Sequence, residues 1–272
     1  MTVTFRKAHQ DELPLVLSWA AAEGWNPGPG DAAAFYSSDP EGFFVADTGT
    51  GPVAAISVVN HSDDFAFLGL YLCQPDHRGK GIGYGLWQHA LTHAGHRTVG
   101  LDGVPGQQDD YRKSGFVAAG QTYRFEGRVP EKREAGLRPA SAGDRALFYQ
   151  AEGRANGYAK PAFMNAWTQD TDSRRTFTLG TAFATIRRCA RGAKIGPFVA
   201  DNLDDAQALL MAIAAAFPAD PFIIDVPDDQ VGLTALCNGW GMQASFNTAR
   251  MYRGTAPVPG PGIRSIATLE LG

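Results

Sequence analysis

The sequence predicts an α+β fold of two tandem domains, each with a mixed, mostly antiparallel sheet flanked by helices. Apolar segments at residues 42–48, 52–60 and 65–74 are separated by short, turn-rich stretches of hairpin length. A helical pattern and further strands follow, which requires a crossover connection and therefore a parallel pair of strands. The same order of patterns recurs from residue 137 onward, which indicates a duplicated chain.

The elements of the first domain can be predicted in order along the chain. Residues 3–8 form a strand, and the apolar positions of residues 11–20 recur at helical spacing. After the three antiparallel strands, residues 82–94 place their apolar side chains on one helical face. The domain ends with a strand at 98–104, a short helix around 106–114 and a strand at 116–127.

Three pairs of matched segments, in the same order, support the duplication. Residues 5–13 resemble 137–147, residues 100–105 resemble 223–227, and residues 115–127 resemble 241–254. We therefore predict a first domain at 1–127, a charged linker at 128–136, a second domain at 137–254 and a C-terminal tail at 255–272 with a candidate final strand.

Composition narrows the classes of function. The 272 residues carry a formal net charge of −4, so neither nucleic acid nor a membrane surface is an expected partner. Cys73, Cys189 and Cys237 are far apart and lack CxxC spacing, which argues against both a disulfide framework and a thiolate zinc site. We expect a soluble cytoplasmic protein that requires no metal.

A glycine-rich segment precedes the second helical pattern. Residues 77–87 read HRGKGIGYGLW, with glycine at every second position from 79 to 85. A P-loop would need Ser or Thr after Lys80, and a dinucleotide fingerprint fails in both registers. A tight strand-to-helix connection is one interpretation; the other is an anion cradle of unobstructed backbone N–H groups beside the charges of Arg78 and Lys80.

This segment carries a resemblance to a known family. Arg78, Gly81 and Gly83 match the pattern Q/R-x-x-G-x-G/A, and residues 111–116, YRKSGF, match Y-x-K-x-G-F. Residues 3–127 thus resemble the GNAT superfamily of N-acetyltransferases, and the second half resembles a degenerate GNAT domain of a tandem protein. The resemblance implies acetyl-CoA as acyl donor. It also implies pantetheine contacts at Leu72 and Cys73 and diphosphate contacts at Arg78, Gly79, Lys80, Gly81, Ile82, Gly83 and Tyr84.

The resemblance also suggests catalytic and acceptor residues. Tyr111 matches the tyrosine that donates a proton to the departing thiolate, although packing against the sheet is its structural alternative. Asp102 is the candidate base for an amine acceptor; capping a loop or ordering water is equally compatible with its position. Trp25 and Asn26 are the candidate walls of the acceptor pocket, and a tryptophan there could instead belong to the core.

The second half lacks the glycines of the first. Its equivalent segment contains three carboxylates within residues 201–205, which suit a helix N-terminus but would repel a diphosphate. We expect this copy to complete the acceptor pocket, form a homodimer interface or stabilise the first domain. The resulting hypothesis is an N-acetyltransferase in which the primary amine of a small molecule or peptide attacks acetyl-CoA directly in a ternary complex. The alternative is a noncatalytic acyl-CoA sensor or partner-binding module.

Overall fold

A computed structural model describes residues 2–272. The strands are β1 Thr4–Lys7, β2 Phe43–Asp47, β3 Pro52–Asn60, β4 Phe65–Cys73, β5 Thr98–Gly103, β6 Val117–Gly127, β7 Arg138–Pro139, β8 Arg174–Leu179, β9 Ala182–Arg188, β10 Ala193–Ala200, β11 Phe222–Pro227, β12 Gln243–Arg253 and β13 Ile263–Ser265. The α-helices are α1 Leu13–Ala22, α2 Asp31–Ser38, α3 Ile82–Leu91, α4 Gln108–Lys113, α5 Arg145–Asn156, α6 Pro161–Trp167, α7 Leu203–Ala216 and α8 Val231–Gly239. The α+β class with mixed sheets flanked by helices is thus confirmed.

The sheets of the two halves are joined into one 13-stranded sheet. Its order is β1-β2-β3-β4-β5-β12-β6-β11-β10-β9-β8-β7, with β13 paired to β10. Strands β1 to β6 of the first half correspond to β7 to β12 of the second. Read from either end, the sheet shows the same order of corresponding strands, as expected for a duplication related by a two-fold axis. The last strand of each half, β6 or β12, pairs with the fifth strand of the other half. The two halves therefore exchange their final strands.

Two buried ion pairs fasten this exchange. Asp102 of β5 lies opposite Arg250 of β12, and the guanidinium binds both carboxylate oxygens at 2.8 and 2.9 Å. Asp225 of β11 lies opposite Arg124 of β6 with the same two-pronged geometry, at 2.7 and 2.8 Å. Each pair joins one half to the other, so removing one partner would leave an uncompensated buried charge at the junction.

Side chains of the two sheet faces are buried in four apolar clusters, three of them large. On one face α3 and α4 cover the strands of the first half, and α7 and α8 cover those of the second. On the other face, α1, α2, α5 and α6 contribute to one cluster that spans both halves. Phe35 of α2 stacks there on Trp167 of α6, with ring centroids 5.6 Å apart. This shared cluster fixes the two halves against each other.

Each half contains a gap where two parallel strands diverge. In the first half, β4 and β5 pair from Phe65 to Leu68 and then separate at a bulge in β4 that contains Leu70, whose φ is +46°. In the second half, β10 and β11 pair only from Ala193 to Ile195. These two gaps occupy equivalent places in the duplicated fold.

The tail adds a strand only in the second gap. Strand β13, the candidate final strand of the sequence, pairs antiparallel with β10 from Phe198 to Ala200, where β10 has already left β11. The backbone N–H of Ile266 then donates to the carbonyl of Asp225 on β11, at 3.2 Å, so the tail bridges the two diverging strands. Beyond this point the tail continues, buried, to the first half.

Candidate functional site

The gap between β4 and β5 opens into a cavity of about 450 Å³. Its walls come from the first half, from β12 and from the tail, so the site is composite. The lining residues include Leu72, Cys73, Arg78, Gly79, Gly81, Gly83, Tyr84, Asp102, Tyr111, Trp25, Arg124, Phe246, Thr248, Leu269 and Glu270. A single cavity thus connects the glycine loop to Tyr111 and to residues of the second half.

The glycine loop has the backbone of an anion cradle. Gly79 and Gly81 adopt φ values of +73° and +75°, a region that other residues enter only with strain. Within residues 2–272, the N–H groups of residues 79–81 donate no hydrogen bond. Gly81 is the N-cap of α3 and has no capping side chain, so the first N–H groups of the helix also lack partners. These groups fit the diphosphate of a CoA-type ligand.

The basic side chains of the loop are less free than the sequence suggests. The Arg78 guanidinium donates to the carbonyl of Cys73 at 2.8 Å and forms an ion pair with Glu23 of the segment after α1. Lys80 Nζ donates to the carbonyl of Asp76 at 2.6 Å. Lys80 does not line the cavity. Anion binding at this loop would therefore depend mainly on backbone groups.

Tyr111 is held rigidly at the inner end of the cavity. Its ring stacks on Trp87 of α3, with centroids 5.4 Å apart, and lies against the backbone of Gly103. Burial raises the pKa of Tyr111 above that of an ordinary phenol, and the nearby Tyr71 and Asp110 act in the same direction. The phenol is consequently neutral at physiological pH and has a proton to donate.

Asp102 lines the cavity, but its carboxylate is fully buried in the pair with Arg250. Burial raises the pKa of Asp102, and the guanidinium opposes this effect. To accept a proton from a substrate, this carboxylate would have to give up part of a two-pronged ion pair. The main role of Asp102 in this structure is to link β5 to β12 through this ion pair.

The two predicted acceptor residues are placed differently. Trp25 lines the cavity, and its carbonyl accepts a hydrogen bond from Lys194 Nζ at 2.8 Å. Asn26, in contrast to the sequence-based interpretation, does not line it. The Asn26 side chain instead exchanges two hydrogen bonds with the backbone of Arg191, at 2.8 and 3.0 Å, and so ties the first half to the β9–β10 turn.

The cavity lining differs from the set of residues that the sequence predicts. Ile82, assigned to the diphosphate site, packs its side chain on the apolar cluster beneath α3. Sequence reasoning missed some lining residues of the first half's own elements, such as Glu23, Leu70 and Tyr71. It also missed a second group, composed of Arg124, Phe246, Thr248, Leu269 and Glu270. All five reach the cavity through the strand exchange or the tail. The only available signal was the apolar segment after the Pro/Gly spacer, which indicates a tail that returns to a core.

Comparisons with known proteins identify the family. The model of the acetyltransferase (GNAT) family matches residues 5–116, and that of the acetyltransferase (GNAT) domain matches residues 149–262. The holothin acyltransferase of Pseudoalteromonas sp. (strain SANK 73390) is 34% identical over 280 residues, which cover 100% of this chain and 95% of that protein. The chain belongs to the GNAT family. Its class of reaction is acyl transfer, for which family members generally use acyl-CoA donors.

Solved structures share the two-domain GNAT architecture. A provisionally assigned acetyltransferase from Pyrococcus horikoshii superposes with a TM-score of 0.84 at 20% identity, covering 99% of this chain and 96% of that one. A tandem GNAT protein from the clavulanic acid biosynthesis pathway gives a TM-score of 0.65 at 15% identity, covering 92% and 98%. These likenesses show the fold and nothing about the acceptor.

The second GNAT domain presents a different surface at the equivalent helix. Asn202 caps α7 by accepting the N–H of Asp205 at 2.9 Å, so the helix start that is bare in α3 is closed here by a side chain. Asp204 and Asp205 add negative charge to this first turn. Across residues 2–272, no set of three or more His, Cys, Asp or Glu side chains is grouped to hold a metal ion. Nor does any helix in that range have the length and apolarity to cross a bilayer.

Proposed function

We propose that the first domain transfers an acetyl group from acetyl-CoA to the primary amine of a small molecule. The observation that carries this proposal is the continuous cavity from the glycine loop, through the gap between β4 and β5, to Tyr111. The donor supplies an activated thioester. The N–H groups of residues 79–84 would hold its diphosphate, and the β4 edge at Leu72 and Cys73 would receive its pantetheine arm.

Tyr111 acts in this proposal as the general acid for the leaving sulfur. Its raised pKa keeps the phenol protonated, and its stacking on Trp87 restricts the direction of the hydroxyl. We give Cys73 no role as a nucleophile: burial raises the pKa of its thiol, against the opposing charges of Arg78 and Lys80, so its surroundings as a whole do not favour the thiolate. Transfer from donor to acceptor is direct in this proposal.

The acceptor would bind between the two domains, which we place at residues 1–127 and 137–254, joined by the linker at 128–136 and followed by the tail at 255–272. Trp25 and Phe246 offer flat apolar surfaces, and Arg124 lies 5.5 Å from the Phe246 ring centroid. A relative that matches the whole chain is a holothin acyltransferase. This likeness supports holothin, or a compound related to it, as the first acceptor to test.

The experiment is a panel of amines, including holothin, with acetyl-CoA and detection of free thiol. Tyr111→Phe should retain CoA affinity by calorimetry but lose at least about tenfold in kcat, since a lost general acid costs about 10²- to 10⁴-fold. Equal turnover of wild type and variant would reject the acid role. Binding of acetyl-CoA without transfer to any amine would favour the noncatalytic sensor instead.

A further inference from the structure

The cavity contains a second buried carboxylate, that of Glu270 in the tail. Four other buried carboxylates are each paired with a cation: Asp31 with Arg174 and Arg187, Asp102 with Arg250, Glu152 with Lys160, and Asp225 with Arg124. Glu270 is only 6% exposed, yet none of the ion pairs within residues 2–272 includes it. The charges of Arg124, Lys194 and Arg187 act on Glu270 through space, but none of these cations lies within ion-pair distance of its carboxylate. A ligand cation can therefore take that place.

The carboxylate of Glu270 makes fewer hydrogen bonds than that of Asp102. The Thr268 hydroxyl donates a hydrogen bond to Oε2 of Glu270. Oε1 accepts no hydrogen bond from the described residues, and it is not among the polar atoms that are both inaccessible and unpaired. Glu270 lines the same cavity as Tyr111, whereas the competing carboxylate of Asp102 is held on both oxygens by Arg250. Glu270 therefore has a carboxylate oxygen without a hydrogen-bond donor among the described residues, whereas both oxygens of Asp102 are bound.

The position of Glu270 at the gap is fixed by the backbone. A Cβ on Gly69, the first residue after the last parallel pair of β4, would lie 1.9 Å from the Glu270 carbonyl oxygen. Only glycine allows this approach, so the tail is seated at the point where β4 leaves β5. The negative charge of Glu270 is felt by Arg124: burial lowers the pKa of Arg124, but Asp225 and then Glu270 raise it.

On the basis of the proposed function, we propose that Glu270 binds the ammonium group of the acceptor and takes its proton. One N–H proton passes to Oε1, and the freed nitrogen lone pair forms the bond to the acyl carbon while the carbon–sulfur bond breaks. The departing sulfur takes the proton of the Tyr111 hydroxyl. The second proton lost by the nitrogen restores that phenol, and Glu270 returns its proton to solvent.

The test compares an alkylamine, which is protonated at pH 7, with an aromatic amine, which is neutral there. Glu270→Gln should lower kcat/KM for the alkylamine by about 10²-fold, as for loss of a general base. The loss for the aromatic amine should be less than about tenfold, because no proton must leave before attack. Glu270→Asp, which keeps the charge on a shorter side chain, should restore part of the alkylamine activity.

Acetyl-CoA affinity and melting temperature serve as controls for folding. The affinity should be unchanged in Glu270→Gln, and the melting temperature should not fall, because the variant removes a buried charge that has no ion-pair partner among the described residues. If wild type is active and the variant equally so, or if both amines suffer equally, the role of Glu270 is refuted while the proposed function stands. A selective alkylamine loss in Asp102→Asn but not in Glu270→Gln would assign the base to Asp102. If wild type acylates no amine of the panel, the proposed function itself fails, and the role of Glu270 with it.

Discussion

The two gaps of the duplicated fold are open in one half and filled in the other. Between β4 and β5 a cavity remains, and the adjoining helix begins at an uncapped glycine loop. Between β10 and β11 the tail strand β13 continues the sheet, and the adjoining helix is capped by Asn202. The comparison shows that one architectural opening can serve as a ligand slot or as a structural joint. In the filled gap, the chain supplies hydrogen-bond partners for the backbone groups of β10 and of the helix start. In the open gap, the corresponding N–H groups of the glycine loop remain without partners in the described part of the chain.

The filled gap should be the more sensitive to added volume. A Cβ on Gly196 would lie 2.1 Å from the carbonyl oxygen of Ile266, so Gly196→Ala must displace the tail. We expect a loss of about 3 kcal/mol in the free energy of unfolding, at the upper end of overpacking costs. Gly239→Ala is the matched control in the same half, because nothing lies within 4 Å of its added Cβ. Similar denaturant midpoints for the two variants would mean that the tail does not occupy this gap.

The two helix starts should respond in different observables. Gly81→Val blocks the open loop and strains a backbone at φ +75°, so acetyl-CoA affinity should fall by about 100-fold, equivalent to one or two charged hydrogen bonds. Asn202→Ala should leave that affinity unchanged but cost about 1 kcal/mol of stability as a lost N-cap. Calorimetry and denaturant unfolding of both variants measure the contrast. A loss of acetyl-CoA affinity in Asn202→Ala would indicate a CoA site in the second half and would contradict this contrast.

An effect of a different kind should appear in acid, where the tail contacts the first half. His61 is buried, and its Nε2 lies 2.8 Å from the carbonyl oxygen of Leu271. Burial and the charge of Lys160 lower the pKa of His61 to about 3, so the folded state keeps the ring neutral while the unfolded state binds a proton below about pH 6.5. Stability present at neutral pH is therefore lost as the pH falls from about 6.5 toward 3.

Wild type should lose about 1.4 kcal/mol of unfolding free energy per pH unit more than His61→Gln between about pH 6 and 4. Denaturant titrations at several pH values check this slope. Parallel stability curves for the two proteins would show that His61 is not held neutral against the tail.

The sequence predicts those parts of this molecule that depend on local patterns. A continuous apolar run flanked by turns predicts strand β3 at its observed bounds, and helical periodicity predicts the helix after the glycine loop. No pattern predicts helix α2, because DAAAFYSS is short and has little contrast between its faces. The seven cofactor positions that line the cavity all belong to one contiguous motif or to the strand before it.

The composite part of the site lay beyond reach for a topological reason. The exchange of β6 and β12 depends on which partner each strand finds in the duplicated sheet, and hydrophobic alternation is the same for either partner. Phe246 and Glu270 are more than 100 residues from the glycine loop and reach it only through that exchange and the tail. The position of Asp102 on β5 makes it a candidate from sequence, but Arg250, which binds its carboxylate, comes from the other half.

A crystal structure with bound acetyl-CoA would decide between the two gaps as the coenzyme site. We expect one coenzyme per chain, with its diphosphate on the N–H groups of residues 79–84 and its sulfur near Tyr111, while β13 stays paired with β10. Coenzyme lodged between β10 and β11, with the tail displaced from that gap, would contradict this expectation.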